Sequence, residues 1–338
     1  MNPKLLTGIT ACALFVSASG NATLRRVNNN PGAATPYTTL ASAITASAPG
    51  DTIYVEGSAT AYPNTNLTKR LHIYGTGYLL NENPQTQANQ NPASISISLN
   101  AGSKGSVLQG LVFNNININD SFITVQRCYS STTVDLSNNG AAIYGDTIRN
   151  CYFAGLRTQT GVSGSCKNLM VYNNIIYGSS PISFASATDG YVINNTIVYL
   201  NAFNSFSSQN IVYQNNIIRG SFGTYLTSNV FFNNVIYGSL GTGTLVGSNN
   251  IFIPVGATNV FDPAMTSADG KFQLAAGSPA TGTGALNGAT VDCGAFGGPA
   301  PYILSGMPAI PSIYQLTIPA QVPSGSATMN ITISAASH

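Results

Sequence analysis

The stretch Tyr172-Asn-Asn-Ile-Ile-Tyr177 decides the fold, because versions of it recur four more times along the chain. The later copies are Ile193-Asn-Asn-Thr-Ile-Val198, Gln214-Asn-Asn-Ile-Ile-Arg219, Phe232-Asn-Asn-Val-Ile-Tyr237 and Ser248-Asn-Asn-Ile-Phe-Ile253. Their second asparagines are separated by steps of 21, 21, 18 and 16 residues. A repeat of about 20 residues cannot bury a core alone and must stack on its neighbours. The sequence therefore predicts a solenoid.

Weaker copies extend the repeat upstream through Arg149-Asn-Cys151, Gln126-Arg-Cys128 and Gln109-Gly-Leu111. The apolar stretches are short, rich in Val, Ile, Tyr and Phe, and separated by Gly, Ser, Thr and Asn, which is typical of strands and turns. Stacked asparagine amides donate to and accept from each other at the spacing of neighbouring strands. The sequence predicts an all-β, right-handed parallel β-helix whose structural ladder is Asn150, Asn174, Asn195, Asn216, Asn234 and Asn250.

The N-terminal part of the repeat region carries a pattern of its own. Leu40, Ile44 and Ala48 fall on one helical stripe, and Pro49-Gly50 is a helix stop signal. We expect a short amphipathic helix within about residues 36–50 to cap the open end of the solenoid. Thr52-Ile-Tyr-Val55 should then form the first strand.

The chain resembles the secreted right-handed β-helix proteins that include pectate lyases, and in particular the pectin-lyase-like extracellular proteins of Bacteroidetes. The resemblance is carried by the segment from Tyr37 to Val55, by the Asn-Asn repeats, and by Phe272 to Ala280 followed by Asp292 to Gly298. These segments are signatures of the fold and not of catalysis. The resemblance implies an extracellular protein, with polysaccharide lyase or glycoside hydrolase activity as the alternative to a non-catalytic role.

The first 22 residues have the layout of a secretory signal peptide: Lys4, an apolar run from Leu5 to Val16, and small residues up to Ala22. The alternative is a lipoprotein signal at Cys12. We expect residues 23–300 to form the β-helix domain and residues 301–338 to form a strand-like extension. No later segment has the roughly 20 apolar residues of a transmembrane helix.

Charged residues make up only 7% of the chain, and the formal net charge is +2. Nothing in this composition predicts nucleic-acid binding, because there is no basic patch. A surface rich in Ser, Thr, Asn and Tyr suits extracellular glycans, cell-surface components or other copies of the same chain. We expect no cofactor. The pairing of Cys128, Cys151, Cys166 and Cys293 stays open, because parallel stacking gives Cys128 and Cys151 a suitable distance but a poor orientation.

The acidic residues do not form a catalytic or metal-binding pattern. A calcium-dependent lyase or an inverting hydrolase needs clustered carboxylates, whereas the ten acidic residues are scattered and form no Asp-x-Asp motif. The sequence predicts no catalytic residue and no metal site. The remaining candidate contacts for a cation or a sugar acid are Asp120 and Asp135, with Arg127 and Arg149 within a rung or two. The simpler interpretation is that these four are turn residues and solvated charges.

An apolar stripe should run along the outside of the solenoid. If the ladder asparagine points inward, alternation turns Leu111, Cys128, Cys151, Ile175, Thr196, Ile217, Val235 and Ile251 outward, and Tyr177 and Tyr237 follow in the neighbouring column. Such a stripe needs a cover. We expect a possible apolar interface at Leu111, Ile175, Ile217, Val235, Tyr177 and Tyr237, covered by residues 301–338 or by a second copy. The alternative is that the phase breaks at the turn and these residues join the core.

These observations favour a non-catalytic extracellular structural, adhesion or glycan-binding protein. The alternative is a polysaccharide lyase or glycoside hydrolase of the pectin-lyase-like superfamily, whose carboxylates would have to come together from loops. Three or more acidic side chains meeting in one groove would distinguish the second hypothesis from the first.

Overall fold

The chain forms a parallel β-solenoid in the computed structural model, which describes residues 22–137, 139–158, 164–179, 182–185, 187–198, 210–220, 228–237, 245–254, 259–322 and 324–337. Two sheets of eleven strands run along it. The strands of the first sheet are β1 (Leu24–Val27), β2 (Thr52–Val55), β4 (His72–Tyr74), β6 (Val107–Gln109), β8 (Thr124–Gln126), β11 (Thr147–Arg149), β14 (Leu169–Tyr172), β17 (Gly190–Ile193), β19 (Ile211–Gln214), β21 (Val230–Phe232) and β23 (Gly247–Ser248). The expected signal segment falls almost entirely outside the described residues.

The second sheet faces the first across the core. Its strands are β3 (Thr65–Leu67), β5 (Ser94–Leu99), β7 (Val112–Ile118), β9 (Tyr129–Leu136), β12 (Tyr152–Thr158), β15 (Ile175–Ile176), β16 (Ile182–Ser183), β18 (Thr196–Val198), β20 (Ile217–Arg219), β22 (Val235–Tyr237) and β24 (Ile251–Ile253). Neighbouring strands in both sheets pair in parallel. The solenoid predicted from the repeat is thereby confirmed.

Smaller elements complete the fold. β10 (Ala142–Tyr144) and β13 (Ser165–Lys167) form a parallel pair, whereas β25 (Gly284–Leu286) with β26 (Ala289–Val291), and β27 (Ser312–Thr317) with β28 (Thr332–Ala336), form antiparallel hairpins. Two short 3₁₀ turns lie at Gly270–Phe272 and Leu304–Gly306.

The predicted N-terminal helix is α1, Leu40–Ala46. Thr39 caps its N-terminus by accepting a hydrogen bond from the Ser42 N–H, and Leu40, Ala43 and Ile44 are buried in the main core. The helix ends before Pro49-Gly50, so the exposed Ala48 is not part of its buried stripe. Ala43 is the third buried residue of the helix instead. The expected strand at Thr52–Val55 is present as β2, but β1 precedes it in the first sheet.

The asparagine ladder runs through the turn between the two sheets. The Nδ2 of each ladder asparagine donates to the Oδ1 of the next, at 2.9 Å from Asn174 to Asn195, 3.1 Å to Asn216, 2.9 Å to Asn234 and 2.9 Å to Asn250. The same Oδ1 atoms accept the backbone N–H of the preceding ladder residue, at 2.9 Å for Asn174 and 2.8 Å for Asn195. Two donors therefore meet one amide oxygen on each of these rungs, which satisfies polar groups that no water reaches.

Asn150 is not part of this ladder, contrary to the sequence prediction. The backbone N–H that donates to Asn174 Oδ1 belongs to Cys151, at 2.9 Å, and the Cys128 N–H approaches Cys151 Sγ at 3.4 Å. Asn150 instead has a positive φ of 52° and shares this left-handed conformation with the first asparagine of every later pair. A rung with one asparagine does not reveal from sequence which of the two positions that residue fills.

The same one-residue shift corrects the expected outward column. Tyr152 pairs with Ile175, and Phe153 with Ile176. The outward residues are therefore Val112, Tyr129, Tyr152, Ile175, Thr196, Ile217, Val235 and Ile251. Leu111 is fully buried in the interior core together with Cys128 and Cys151, so it cannot belong to an outer interface.

A returning segment, residues 259–311, covers the outward apolar stripe. Tyr152 and Ile175 pack in one cluster with Phe272, Ala295 and Tyr302 of this segment. Further along the solenoid, Ile217 and Val235 pack with Val260, Ala280 and Cys293. Tyr177 is half-buried against Tyr152, with ring centroids 4.3 Å apart, and the side chain of Tyr237 lies outside the described residues. The proposed apolar interface is thus already occupied by the chain itself.

Of residues 301–338, the cover predicted from sequence, only the first part packs on the stripe, through Tyr302, whereas the C-terminal hairpin β27–β28 does not. Ile313, Leu316 and Ile333 are about half exposed or more, because the hairpin pairs with itself and touches the body of the solenoid near its base, where the Ala88 N–H donates to the Ile313 carbonyl at 2.8 Å. Its strands were expected, but their partner was wrong. None of the helices in the described part of the chain has the length and hydropathy that a membrane crossing requires.

Candidate functional site

The first asparagines of three pairs, Asn173, Asn194 and Asn215, and the equivalent Asn150 position the returning segment. Their left-handed backbone turns the side chains away from the core, and their amides donate to backbone carbonyls of the segment. Asn150 donates to Ala300 and Pro301 at 2.9 and 3.0 Å, and Asn173 to Ala295 and Gly297 at 2.9 and 2.7 Å. Asn194 and Asn215 donate to Asp292 and Ala285 at 2.9 and 3.2 Å. The pair thus has two roles, one inside the solenoid and one outside it.

Arg127 takes the same outward position one rung earlier. It has a φ of 52°, and its Nη1 donates to the Met307 carbonyl at 2.7 Å. The returning segment therefore runs back along the turns from Ala285 beside Asn215 to Met307 beside Arg127. Its last residues form a wall next to the outer face of the first sheet.

The outer face of the first sheet carries a column of polar and aromatic side chains beside this wall. Parallel register places the following residues in line on successive strands: Tyr54, Tyr74, Gln109, Gln126, Arg149 and Tyr172. Each is the residue just before the turn into the second sheet or its equivalent on the earlier rungs. Because strand side chains alternate, the whole column faces away from the core.

Two neighbouring cavities lie along this column. The larger, of about 610 Å³, is lined by Leu24, Arg26, Thr52, Tyr54 and Tyr74 and closed by Ile310 and Pro311 of the returning segment. The smaller, of about 260 Å³, is lined by Gln109, Gln126, Arg127, Arg149 and Asn150 and closed by Ala300, Pro301, Ile303 and Ala309. Tyr74 and Gln109 are register partners, and Ala309 and Ile310 are adjacent in the chain. We call the two cavities together the sheet groove.

The aromatic end of the groove contains Tyr54 and Tyr74, both half-exposed. Burial raises the pKa of the Tyr54 hydroxyl, and the charge of Glu56 adds to this effect. Glu56 itself forms an ion pair with Arg26. A tyrosine in such a position offers an apolar ring face and a hydroxyl that stays protonated, a combination that suits ligands with both C–H and O–H groups.

The cationic end of the groove contains a fixed chain of hydrogen bonds. Arg149 donates from Nε to Gln126 Oε1 at 2.6 Å, and Gln126 donates from Nε2 to Gln109 Oε1 at 2.8 Å. The Arg149 guanidinium also lies 5.9 Å from the ring centre of Tyr172. Burial lowers the pKa of Arg127, and the positive charge of Arg149 lowers it further. The two arginines are therefore close enough to repel each other.

The four residues named from sequence as candidate ligand contacts do not form one site. Arg127 and Arg149 meet in the groove, but Asp135 lies on the outer side of β9 and pairs with Arg157 at 2.5 Å. Asp120 accepts the backbone N–H groups of Lys104 and Ser121, both at 2.8 Å. The carboxylates belong to the second sheet and the turn after it, whereas the arginines belong to the first sheet and the turn after it.

All ten acidic residues lie in the described part of the chain, and each is engaged in a local structural contact. Four pair with basic side chains: Asp51, Glu56, Asp135 and Asp189. The other six accept backbone N–H groups: Glu82, Asp120, Asp146, Asp262, Asp269 and Asp292. Within the described residues, no three His, Cys, Asp or Glu side chains are arranged to hold a metal ion.

The four cysteines of the described region are buried free thiols. Burial raises the pKa of Cys128 and Cys293, the latter to about 11. A thiol in this state is a poor nucleophile, because the thiolate is the reactive form. Cys128, Cys151 and Cys166 therefore contribute packing to the main core, and Cys293 contributes packing to the covered face.

Comparison with known proteins gives no relative: no family model, curated protein or solved structure matches this chain.

Proposed function

We propose that this protein is an extracellular, non-catalytic β-solenoid that binds a glycan in the sheet groove. The resemblance to pectin-lyase-like extracellular proteins of Bacteroidetes suggests the setting, and the secretory layout of residues 1–22 is consistent with it. The observation that carries the proposal is the column of two tyrosines, two glutamines and an arginine along one wall of the groove.

The groove has the composition that a glycan requires. Sugar rings present apolar C–H faces and rims of hydroxyl groups, and a tyrosine ring beside amide side chains matches both. The ligand would lie along the solenoid axis, because the column runs from strand to strand at a spacing of about 4.8 Å. The other wall of the groove is formed by the returning segment, which Asn150 and Arg127 hold in place by hydrogen bonds.

The state of the acidic residues supports binding without catalysis. Hydrolysis or elimination needs a carboxylate free to move a proton or to hold calcium, and none of the ten acidic side chains lines either cavity of the groove. The acids nearest to the groove in sequence are Asp51 and Glu56, which pair with Arg25 and Arg26. For the protein to act as a polysaccharide lyase or hydrolase, one of these carboxylates would have to leave the ion pair or hydrogen bond that it now forms.

The test begins with a screen of the mature protein against a panel of oligosaccharides, followed by calorimetry on those that bind. The double variant Tyr54→Ala/Tyr74→Ala should lose at least about tenfold in affinity. Tyr191→Ala is the matched control, since Tyr191 is an exposed tyrosine on the outer face of the same sheet but outside the groove. Its affinity should stay unchanged.

Two results would contradict the proposal. Equal losses in Tyr191→Ala and in the double variant would place binding outside the groove. Release of unsaturated products or reducing ends from the bound glycan, with or without calcium, would show that the protein is an enzyme.

A further inference from the structure

The pair Arg127 and Arg149 carries two positive charges that the protein does not neutralise. They lie on successive rungs, and the Arg127 N–H donates to the Arg149 carbonyl at 3.1 Å. The ion pairs found among the described residues are Arg25–Asp51, Arg26–Glu56, Arg157–Asp135 and Lys167–Asp189. Neither Arg127 nor Arg149 takes part in an ion pair, although the described residues include every acidic residue of the chain.

Such a pair is unfavourable without a counter-charge. Like charges side by side repel each other. The smaller cavity of the groove, which we call the Arg127–Arg149 cleft, partly buries both side chains and so weakens the screening that water supplies at an open surface. The lowered pKa of Arg127 reflects first its burial and then its neighbour Arg149. Only 7% of the residues are charged, so two adjacent cations in one cleft are unusual for this chain.

The cleft also fixes the two guanidinium groups while leaving donors free. Arg149 uses Nε for Gln126, and Arg127 uses Nη1 for the Met307 carbonyl. Among the described residues, these are the side-chain hydrogen bonds of the two arginines, so Arg149 Nη1 and Nη2 and Arg127 Nε and Nη2 have no acceptor there. Four nitrogens of two positioned guanidinium groups thus remain for a ligand in a cavity of about 260 Å³, which is the geometry that holds an oxyanion by several charge-assisted hydrogen bonds.

We propose that the Arg127–Arg149 cleft is an oxyanion subsite, which takes a carboxylate or sulfate-ester group carried by the bound glycan. The inference rests on the proposed function and makes it more specific, since the groove would select glycans that place an anionic group two to three rungs away from Tyr74. The tyrosine end contributes affinity for any sugar of suitable shape. The arginine end contributes the preference for charge.

The experiment compares three oligosaccharides of one backbone: the neutral form, a form with a carboxylate and a form with a sulfate ester. Calorimetry at fixed ionic strength gives the affinity of each. The wild-type protein should bind at least one anionic form about tenfold more tightly than the neutral form, and this preference should shrink as salt rises. The ratio between the two anionic forms tells which oxyanion the cleft takes.

Variants assign the preference to the cleft. Arg149→Gln should reduce the ratio of anionic to neutral affinity to about one; the ratio is the readout, because Arg149 also lines the groove and its loss acts on the binding of both forms. Arg127→Lys keeps the charge but loses the fork of donors, so it should retain part of the preference. Arg70→Gln is the control: it removes the same charge from an exposed arginine that lines neither cavity of the groove, and it should behave as wild type.

A second readout separates failure of the subsite from failure of the proposed function. Thermal unfolding is followed with inorganic sulfate and with glucuronate as free anions, in wild type and in Arg149→Gln. If no oligosaccharide binds but these anions raise the melting temperature of wild type more than that of Arg149→Gln, the subsite stands and glycan binding fails. If glycans bind but charge makes no difference, or Arg149→Gln keeps the preference, the subsite is refuted.

Discussion

The two large sheets of the solenoid share one core but have opposite outer faces. On the second sheet the outward column is apolar, and the chain covers it with its own returning segment. On the first sheet the outward column carries tyrosines, glutamines and an arginine, and the same segment only borders it. One stretch of chain therefore closes one face and builds the wall of a groove on the other.

The difference teaches where to look for function in a repeat protein of this kind. An outward apolar stripe along many rungs is a folding requirement, since leaving it in water would expose a large hydrophobic patch. A polar and aromatic stripe has no such need for cover, and its side chains are free to meet a ligand. The asparagine pairs serve both faces, because the inner asparagine orders the rungs and the outer one holds the returning segment.

The largest expected effect comes from placing a charge on the covered face. Ile175→Asp puts a carboxylate at a fully buried position under Ala295 and Tyr302, and we expect a loss of about 4 kcal/mol in the free energy of unfolding. Met170→Asp is the matched change on the other face, where Met170 is half-exposed, and it should cost about 1 kcal/mol or less. Denaturant unfolding of both variants measures the contrast. Equal losses would mean that the two faces are covered alike.

The second-largest effect is expected at Asp146, whose buried carboxyl group lies on neither outer face. This effect should depend on pH. Burial raises the pKa of Asp146 to about 7 from an ordinary value of 3.8. The native state therefore holds this proton more tightly than the unfolded chain, so the contribution of Asp146 to stability falls as pH rises from about 4 to 7. Asp146→Asn keeps an acceptor for the Ile123 N–H and removes the charge.

We expect Asp146→Asn to be more stable than wild type by about 3 kcal/mol at pH 8 and about as stable at pH 4. Thermal unfolding across this range measures the difference, and Asp292→Asn serves as a control, since its carboxylate accepts an exposed hydrogen bond from Gly282. A gain of the same size at both pH values would show that the ionisation of Asp146 is not the cause.

A smaller effect should follow from loosening the returning segment without touching either sheet. Asn173→Gly preserves the left-handed backbone, with φ of 54°, but removes the two hydrogen bonds to Ala295 and Gly297. We expect a loss of about 1–2 kcal/mol. Asn249→Gly is the control, because Asn249 has the same conformation with φ of 58° and an exposed side chain. If the two variants lose equally, the outer asparagines do not hold the segment.

The repeat itself made much of this architecture predictable. The pairs after Tyr172 indicated both the parallel solenoid and the ladder from Asn174 to Asn250, because identical side chains repeated at steps of 16 to 21 residues have few other arrangements. Asn150 was misplaced because Cys151 fills the ladder position on that rung, and nothing local distinguishes the two turn positions. The error moved Leu111, Cys128 and Cys151 to the outside and so shifted the outward column by one residue on these three rungs.

The covered face and the groove were harder to predict, for different reasons. Contacts such as Asn173 to Ala295 join residues 122 positions apart, and residues 259–311 carry no repeat that would reveal their path. The groove left a weak signal, since Gln109, Gln126 and Arg149 all precede the turn position on their rungs. Aligning the residue before each turn would have found the column, but not the wall that makes it a cavity.

The most direct test of the contrast between the faces is hydroxyl-radical footprinting of the intact protein, read out by mass spectrometry for each aromatic side chain. We expect strong labelling of Tyr191, intermediate labelling of Tyr54 and Tyr74, and protection of Tyr152, Phe272 and Tyr302, which are almost fully buried. A bound oligosaccharide should then protect Tyr54 and Tyr74 alone. Labelling of Tyr152 and Tyr302 as strong as that of Tyr191 would show that the second sheet is not covered by its own chain, and would contradict the account.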